Sequence, residues 1–421
     1  MAEARTPRTV ILGGGIAGLE ALLALADLAG ERTELTLVSP DPDFTYKPLT
    51  VEEPFTHQPV EHRDLEPIVT ELGGRFVRGA VDGVDAPGHQ VELKDEATLN
   101  FEYLVVCVGT RTTGPFEHAA TLRVVGELLE IDALIARALR HPSKRLAFIV
   151  PPGVSWSLPI YELALMSRRR AEQLGSDDLR LVVVTPEEAP LVFFGSVPSN
   201  AVAELLAVRG VEFEGQSRAS EGPEGIILAP GQRRLDAGAA VALPLIEGRH
   251  LRGLPSDDGG FIPIDDHAQV VGVDDVYAAG DGTNFPIKQG GLASQQADAA
   301  AAHIASRLGT ESVAEPFHPV LRGQLIIGAE SINLEQDLTG GHGEGTVSPD
   351  YLWWPPHKVS ARYLAPFLAE QSPHAEPKPP ERPLEVEVAM PRRWYEEPMA
   401  LDPYGPPLGP DWIGRHQATW R

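Results

Sequence analysis

Short unbroken apolar runs alternate along this chain with longer stretches of helical spacing, and the alternation begins at once. The β-branched run Thr9-Val10-Ile11-Leu12 ends in Gly13-Gly14-Gly15 and feeds into Leu19-Glu20-Ala21-Leu22-Leu23-Ala24-Leu25, which predicts strand, turn, helix. Residues 34–39 predict the next strand, and 75–79 and 90–93 two more. Residues 101–110 predict a buried parallel strand that stops at Gly109-Thr110. From about residue 120 the layout repeats: a strand at 144–150, a helix at 160–173, a strand at 179–185. The chain then returns through 260–265 and 276–282 to an alanine-rich helix at 292–308. Residues 317–340 predict strands around Gln324-Leu325-Ile326-Ile327. The blocks 351–356 and 359–368 are aromatic-rich, and Pro355, Pro356 and Pro366 argue against one long amphipathic helix there. From Ser372 onward proline recurs every few residues, which predicts an extended tail outside the core.

The first turn carries a specific chemistry. Gly13, Gly15 and Gly18 have the GxGxxG spacing. The first glycine makes the tight turn, the second lets a pyrophosphate approach the backbone, and the third lets helix and strand pack closely. The helix start adds unpaired N–H groups and a positive dipole end. Ser39, at the end of the second strand, is the expected ribose ligand, with Asp41 beyond Pro40 as the second choice. The loop from Phe44 to Thr50, with Lys47 and Pro48, is suited either to passing beneath a planar ring or to a plain surface connection. In the second unit the turn Pro151-Pro152-Gly153 to Pro159 has one glycine and three prolines, so its phosphate grip is expected to be damaged. Glu187 or Glu188 stands at its ribose position, where a carboxylate accepts from a 2′-hydroxyl and repels a 2′-phosphate.

Composition narrows the field. With 421 residues the chain has room for two or three domains, and a formal charge of -25 argues against nucleic acid and against an anionic membrane surface. Cys107 is the single cysteine, which excludes a disulfide framework, a CxxC pair and a cysteine-rich metal site; no metal is expected. It lies in the apolar part of its strand, where a thiol packs as a small hydrophobe. The early first strand, without an apolar leader or a long apolar span, makes the cytoplasm the expected location.

Gly13 to Gly18 followed by Ala278-Ala279-Gly280-Asp281 resembles the FAD-dependent pyridine nucleotide–disulfide oxidoreductase superfamily over residues 9–310. The resemblance implies an α/β fold of two Rossmann-like, doubly wound, three-layer dinucleotide-binding domains. The FAD domain is split (1–115 and 250–312) and the NAD-like domain spans 116–249. A C-terminal α+β interface region (313–371) and the proline-rich tail (372–421) follow. It implies FAD, with Asp281 on the ribityl chain, and NAD(P)H as a transient co-substrate. The expected cofactor-binding set is Gly13, Gly15, Ile16, Ala17, Gly18, Ser39, Pro40, Lys47, Pro48, Ala80, Val81, Val108, Gly109, Thr110, Gly280, Asp281, Lys288, Gln289, Gly290, Gly291 and Ala293.

Within the superfamily, Val154-Ser155-Trp156-Ser157-Leu158-Pro159-Ile160-Tyr161-Glu162 resembles the sulfide:quinone reductase and flavocytochrome c sulfide dehydrogenase branch, with Trp156 where that branch has a redox cysteine. Ala293-Ser294-Gln295-Gln296 resembles part of the quinone-side motif of type II NADH dehydrogenases, although Gly290-Gly291 replace the Ala-Gln that opens it. Lys288, Glu162 and Trp156 are the candidate catalytic residues: Lys288 as a cation beside the flavin, Glu162 as a structural acid or proton relay, Trp156 as an indole over one face of the ring. The expected activity is electron transfer from NAD(P)H or another donor through FAD to a quinone or protein acceptor. A sulfide:quinone reductase-like enzyme of altered mechanism, or a flavin-binding scaffold with little turnover, are the alternatives. Donor and acceptor are small molecules or proteins, peripheral membrane contact stays open, and the C-terminal region is expected to join copies or partner subunits.

Overall fold

A computed structural model describes residues 5–371 apart from 57–59, 61, 123–128, 329 and 339–343. The proline-rich tail, and the intersubunit arm expected of it, lie outside the described residues. Five parallel strands form the first sheet, in the spatial order Val276–Ala278, Tyr103–Val106, Arg8–Leu12, Glu34–Ser39, Arg75–Arg78. Their apolar runs are continuous rather than alternating because both faces are covered; Val10, Ile11, Leu12, Leu104, Val105 and Val106 are all buried. The late strand Val276–Ala278 pairs with Tyr103–Val106, so the first unit is completed only after the second has been threaded.

The second sheet is also parallel, ordered Ala120–Thr121, Ala239–Ala242, Arg145–Ile149, Arg180–Val184, Val211–Glu214. An antiparallel pair, Arg111–Thr113 with Leu245–Glu247, joins the segment leaving the first unit to the segment returning to it. An antiparallel sheet of Val320–Ile326, Ser331–Asp337 and Thr346–Ser348 follows, and then the short helix Leu364–Glu370. In the returning segment 260–265, Ile262 and Ile264 make single bridges, to Thr283 and Val270. The aromatic-rich block caps the core, with Trp353, Val359, Leu364 and Leu368 buried and Tyr351 left exposed.

Helices Ile16–Ala29 and Gly290–Arg307 pack together, and between them lies a pair of acids. Glu20 is fully buried and accepts from the backbone N–H of Tyr363 at 2.9 Å and of Leu364 at 2.6 Å, so it anchors the start of the last helix. Asp298 hydrogen-bonds Glu20, and its Oδ1 has no partner among the described residues. Burial first, and the Glu20 charge second, hold the Asp298 carboxyl well above the ordinary aspartate range, while Arg362 opposes. A raised folded-state pKa gives stability that is complete below the unfolded-state value and is lost as pH rises through the folded-state one. Asp298→Asn keeps a donor for Glu20 and removes that titration. We expect it to melt with wild type near pH 4 and a few degrees above it at pH 8; parallel melting curves at both pH values would refute the shared proton.

Candidate flavin-binding site

The glycine turn is closed at two positions and open at one. Gly13 donates to the Val38 carbonyl at 2.7 Å and has φ +112°; a Cβ there would lie 2.2 Å from the Cys107 carbonyl oxygen. A Cβ on Gly18 would lie 1.8 Å from the Gly13 oxygen. Both glycines are therefore required by the strand–helix contact itself. Gly15 is different: it caps the helix Ile16–Ala29 without any side-chain cap, and a Cβ there would meet nothing within 4 Å. The first turn of that helix also carries no acid. An open backbone beside uncapped helix amides fits a diphosphate.

The second motif sits against the first. Gly280, at φ +88°, lies between Ala17 and Ala293, whose Cβ atoms would be 3.2 and 3.5 Å from a Cβ placed there. Its N–H donates to Gln296 Oε1 at 2.7 Å, and its carbonyl accepts from Thr283 Oγ1 at 2.9 Å. A Cβ on Gly282 would stand 3.1 Å from the Gly109 oxygen, so the two strand ends touch through glycines. Among the described residues no hydrogen-bond donor reaches the Asp281 carboxylate; burial raises its pKa, and Lys288 and then Lys47 pull it back. An acid with two cations in range and its acceptor sites open can receive hydroxyl groups.

Lys288 is buried, donates to the Thr283 carbonyl, and stands 3.9 Å from the centre of the Phe261 ring. Burial pulls its pKa down to about 8, against Asp281 and Asp257, so it remains mostly a cation at neutral pH. Gln289 is bonded within the protein. Its Oε1 caps the following helix by accepting from Leu292 N–H at 2.9 Å, and its Nε2 donates to the Arg322 carbonyl at 2.9 Å, so the side chain also ties the helix start to the C-terminal sheet. Gly290 and Gly291 admit the C-terminal chain: a Cβ on Gly290 would be 2.9 Å from the Val359 side chain, and one on Gly291 3.3 Å from the Ser360 oxygen.

Ser39 is buried at its strand end, with Oγ 3.1 Å from where a Cβ of Gly14 would be, while Pro40, Asp41 and Lys47 are exposed. Pro48, Ala80, Val81, Val108 and Thr110 are half-buried. Arg249, unmarked by any motif, donates to the Thr110 carbonyl at 3.1 Å and lies in the field of Asp41. Tyr46 accepts from Val359 N–H at 2.8 Å, so the Phe44–Thr50 loop is tied to the C-terminal chain.

Glu162, expected to be either a hydrogen-bonded structural acid or a proton relay, is ion-paired. Both its oxygens lie 2.8 Å from Lys358 Nζ, and Oε1 also accepts from Ile326 N–H at 2.8 Å. Burial raises its pKa and Lys358 opposes; the half-buried Glu52 feels the same two influences. Trp156 packs on Phe193 and Phe194 at centroid distances of 5.7 and 5.8 Å. Glu187 is buried and hydrogen-bonded by Ser157, Tyr161 and Thr185, which removes it as a ribose ligand and leaves only the exposed Glu188. Lys358 and Arg249 were invisible beforehand: each works through a partner more than a hundred residues away.

No family model matches the chain. The chain is 24% identical over 328 residues to a mitochondrial internal alternative NAD(P)H-ubiquinone oxidoreductase of Arabidopsis thaliana, covering 67% of this chain and 62% of that protein. It is 25% identical over 292 residues to an NADH dehydrogenase-like protein of Mycobacterium tuberculosis, covering 65% and 72%. The sulfide:quinone oxidoreductase structure from Aquifex aeolicus superposes with a TM-score of 0.69 at 17% identity, over 79% of this chain and 84% of that one. In sequence the chain is similar to NAD(P)H dehydrogenases of the superfamily that its glycine motifs resemble, and in fold to a sulfide:quinone oxidoreductase. The likeness to solved structures is one of fold, two parallel sheets with the first unit split in sequence. The chain spans less than two thirds of the Arabidopsis protein's length.

Proposed function

We propose that this chain is an FAD-dependent oxidoreductase that passes electrons from NAD(P)H or another reductant to a quinone or protein acceptor. The observation that carries the reading is the contrast at the glycine turn, where Gly13 and Gly18 are packed shut and Gly15 is open above an uncapped helix. Bound FAD would supply hydride and single-electron transfer. The helix start beyond Gly15 would hold the diphosphate, Arg249 would add a cation near Asp41, and Asp281 would accept from ribityl hydroxyls. Lys288 would set a buried positive charge against the negative charge of the reduced state. Glu162, Lys358 and Glu52 form a chain of ionisable groups from the interior to a half-buried carboxyl, which suits proton exchange with solvent. Thiol chemistry does not enter: sulfur shuttling needs two cysteines, and burial pushes the Cys107 thiol up to about 12.

The test is direct. Purified protein, reconstituted where necessary, should bind one FAD per chain and bleach with dithionite, and an added quinone or protein acceptor should restore the colour. A folded protein that takes up no FAD would sink the proposal.

A further inference from the structure

We infer that the second parallel sheet is closed to dinucleotides because Glu187 occupies, from within, the anion site at the start of its helix, so that the flavin draws electrons from a donor other than NAD(P)H. The clause about the flavin rests on the proposed function; the closed site does not. In open α/β sheets a dinucleotide lies outside the carboxyl ends of the strands, with its pyrophosphate on a helix N-terminus. Here that place lies between Arg145–Ile149 and the helix Leu158–Gln173, beside the end of Arg180–Val184.

A carboxylate already holds the hydroxyls at the helix start. Ser157 is the N-cap of the helix, yet its hydroxyl makes no cap and donates to Glu187 Oε1 at 2.8 Å. One turn further, Tyr161 OH donates to Oε2 at 2.6 Å, and Thr185 Oγ1 donates to the same oxygen at 2.8 Å. The Leu191 backbone N–H adds another bond. A buried carboxylate with four donors at a helix start does electrostatically what a phosphate would do there. A diphosphate beside it would set like charges together in a low-dielectric site. The residue that should receive the ribose hydroxyls is therefore spent on the protein itself.

The crevice is covered as well. Phe193, Phe194 and Trp156 interlock with centroids 5.2–5.8 Å apart. A Cβ on Gly323, in the strand Val320–Ile326, would lie 2.6 Å from the Phe194 ring, and one on Gly345 would lie 1.9 Å from the Phe194 carbonyl oxygen. The C-terminal sheet thus sits on this loop without room for a methyl group. The turn below has prolines at 151 and 152, which offer no N–H to a phosphate. The first unit provides the internal control, since a Cβ on Gly15 would meet nothing within 4 Å.

The experiment uses wild-type protein and three readouts. Calorimetry with millimolar NAD+ or NADH should show no binding heat, and neither should raise the melting temperature. Anaerobic addition of NADH or NADPH should leave the flavin band unbleached while dithionite removes it. A binding heat for either dinucleotide, or bleaching by either nicotinamide, overturns the inference. A protein that fails to take up FAD would remove the proposed function and the clause that depends on it, while calorimetry would still decide whether the second site is closed.

Discussion

Gly15→Val is expected to fold with the melting temperature of the wild-type apoprotein and to lose at least about 100-fold in FAD affinity, roughly 2.8 kcal/mol. Its neighbour Gly18→Ala should fail differently, by losing the fold. The reasoning is geometric. Gly15 has φ -88°, a conformation open to any residue, and a Cβ there meets no protein atom within 4 Å, so valine costs the apoprotein little. Its isopropyl group would instead fill the space through which a diphosphate reaches the helix amides. At Gly18 a single methyl carbon would stand 1.8 Å from the Gly13 oxygen, and the strand and helix would have to separate. Thermal melts of the apoproteins, with flavin retention measured alongside, distinguish the two. A Gly15→Val protein that purifies with stoichiometric FAD would mean that the cofactor does not use this turn.

Much of this was legible in the sequence because it is local. Gly13, Gly15 and Gly18 lie within six residues; Gly13 and Gly18 leave no room for a Cβ, and Gly15 keeps the backbone open towards a ligand. The apolar runs 101–110 and 179–185 gave their strands to within a few residues, since strands buried on both faces leave an unbroken pattern. What escaped was settled by partners far away in sequence. The sequence leaves Glu162 open between a hydrogen-bonded structural acid and a proton relay because its counter-ion, Lys358, is 196 residues further on, in a proline-rich stretch without periodicity. Glu187 looked like a ribose ligand because its position was right; only the fold brings Ser157 and Tyr161 to it. Gln289 is expected among the cofactor contacts, and its bonds to Leu292 and Arg322, 33 residues away, are not visible in the motif. A motif reports which backbone a ligand can approach. Whether a polar side chain is still available to that ligand depends on long-range pairing, which spacing does not encode.

The same pairing predicts the second large effect. Lys358→Met should destabilise the protein by about 3–5 kcal/mol, because it leaves a buried carboxylate without its counter-ion. Glu162 would keep only the Ile326 N–H, and its pKa, already raised by burial, would lose the opposing influence of Lys358 and rise further. A carboxyl whose folded-state pKa is raised contributes stability that is complete below its unfolded-state value and is lost as pH rises through the folded-state one. The penalty of Lys358→Met relative to wild type should therefore be small near pH 4.5 and grow towards pH 8. Replacing both members, Glu162→Leu with Lys358→Met, removes the two charges together and should recover most of the loss, since an apolar pair of similar volume is often as stable as a buried ion pair. Urea unfolding of the two single variants and the double variant at both pH values completes the cycle. Additive single effects, or a Lys358→Met penalty that does not change with pH, would show that Lys358 holds the C-terminal chain through packing and not through charge. In that case the route from Glu52 to Glu162 would lose its central member, and the protons exchanged at the buried end would have to come from another group.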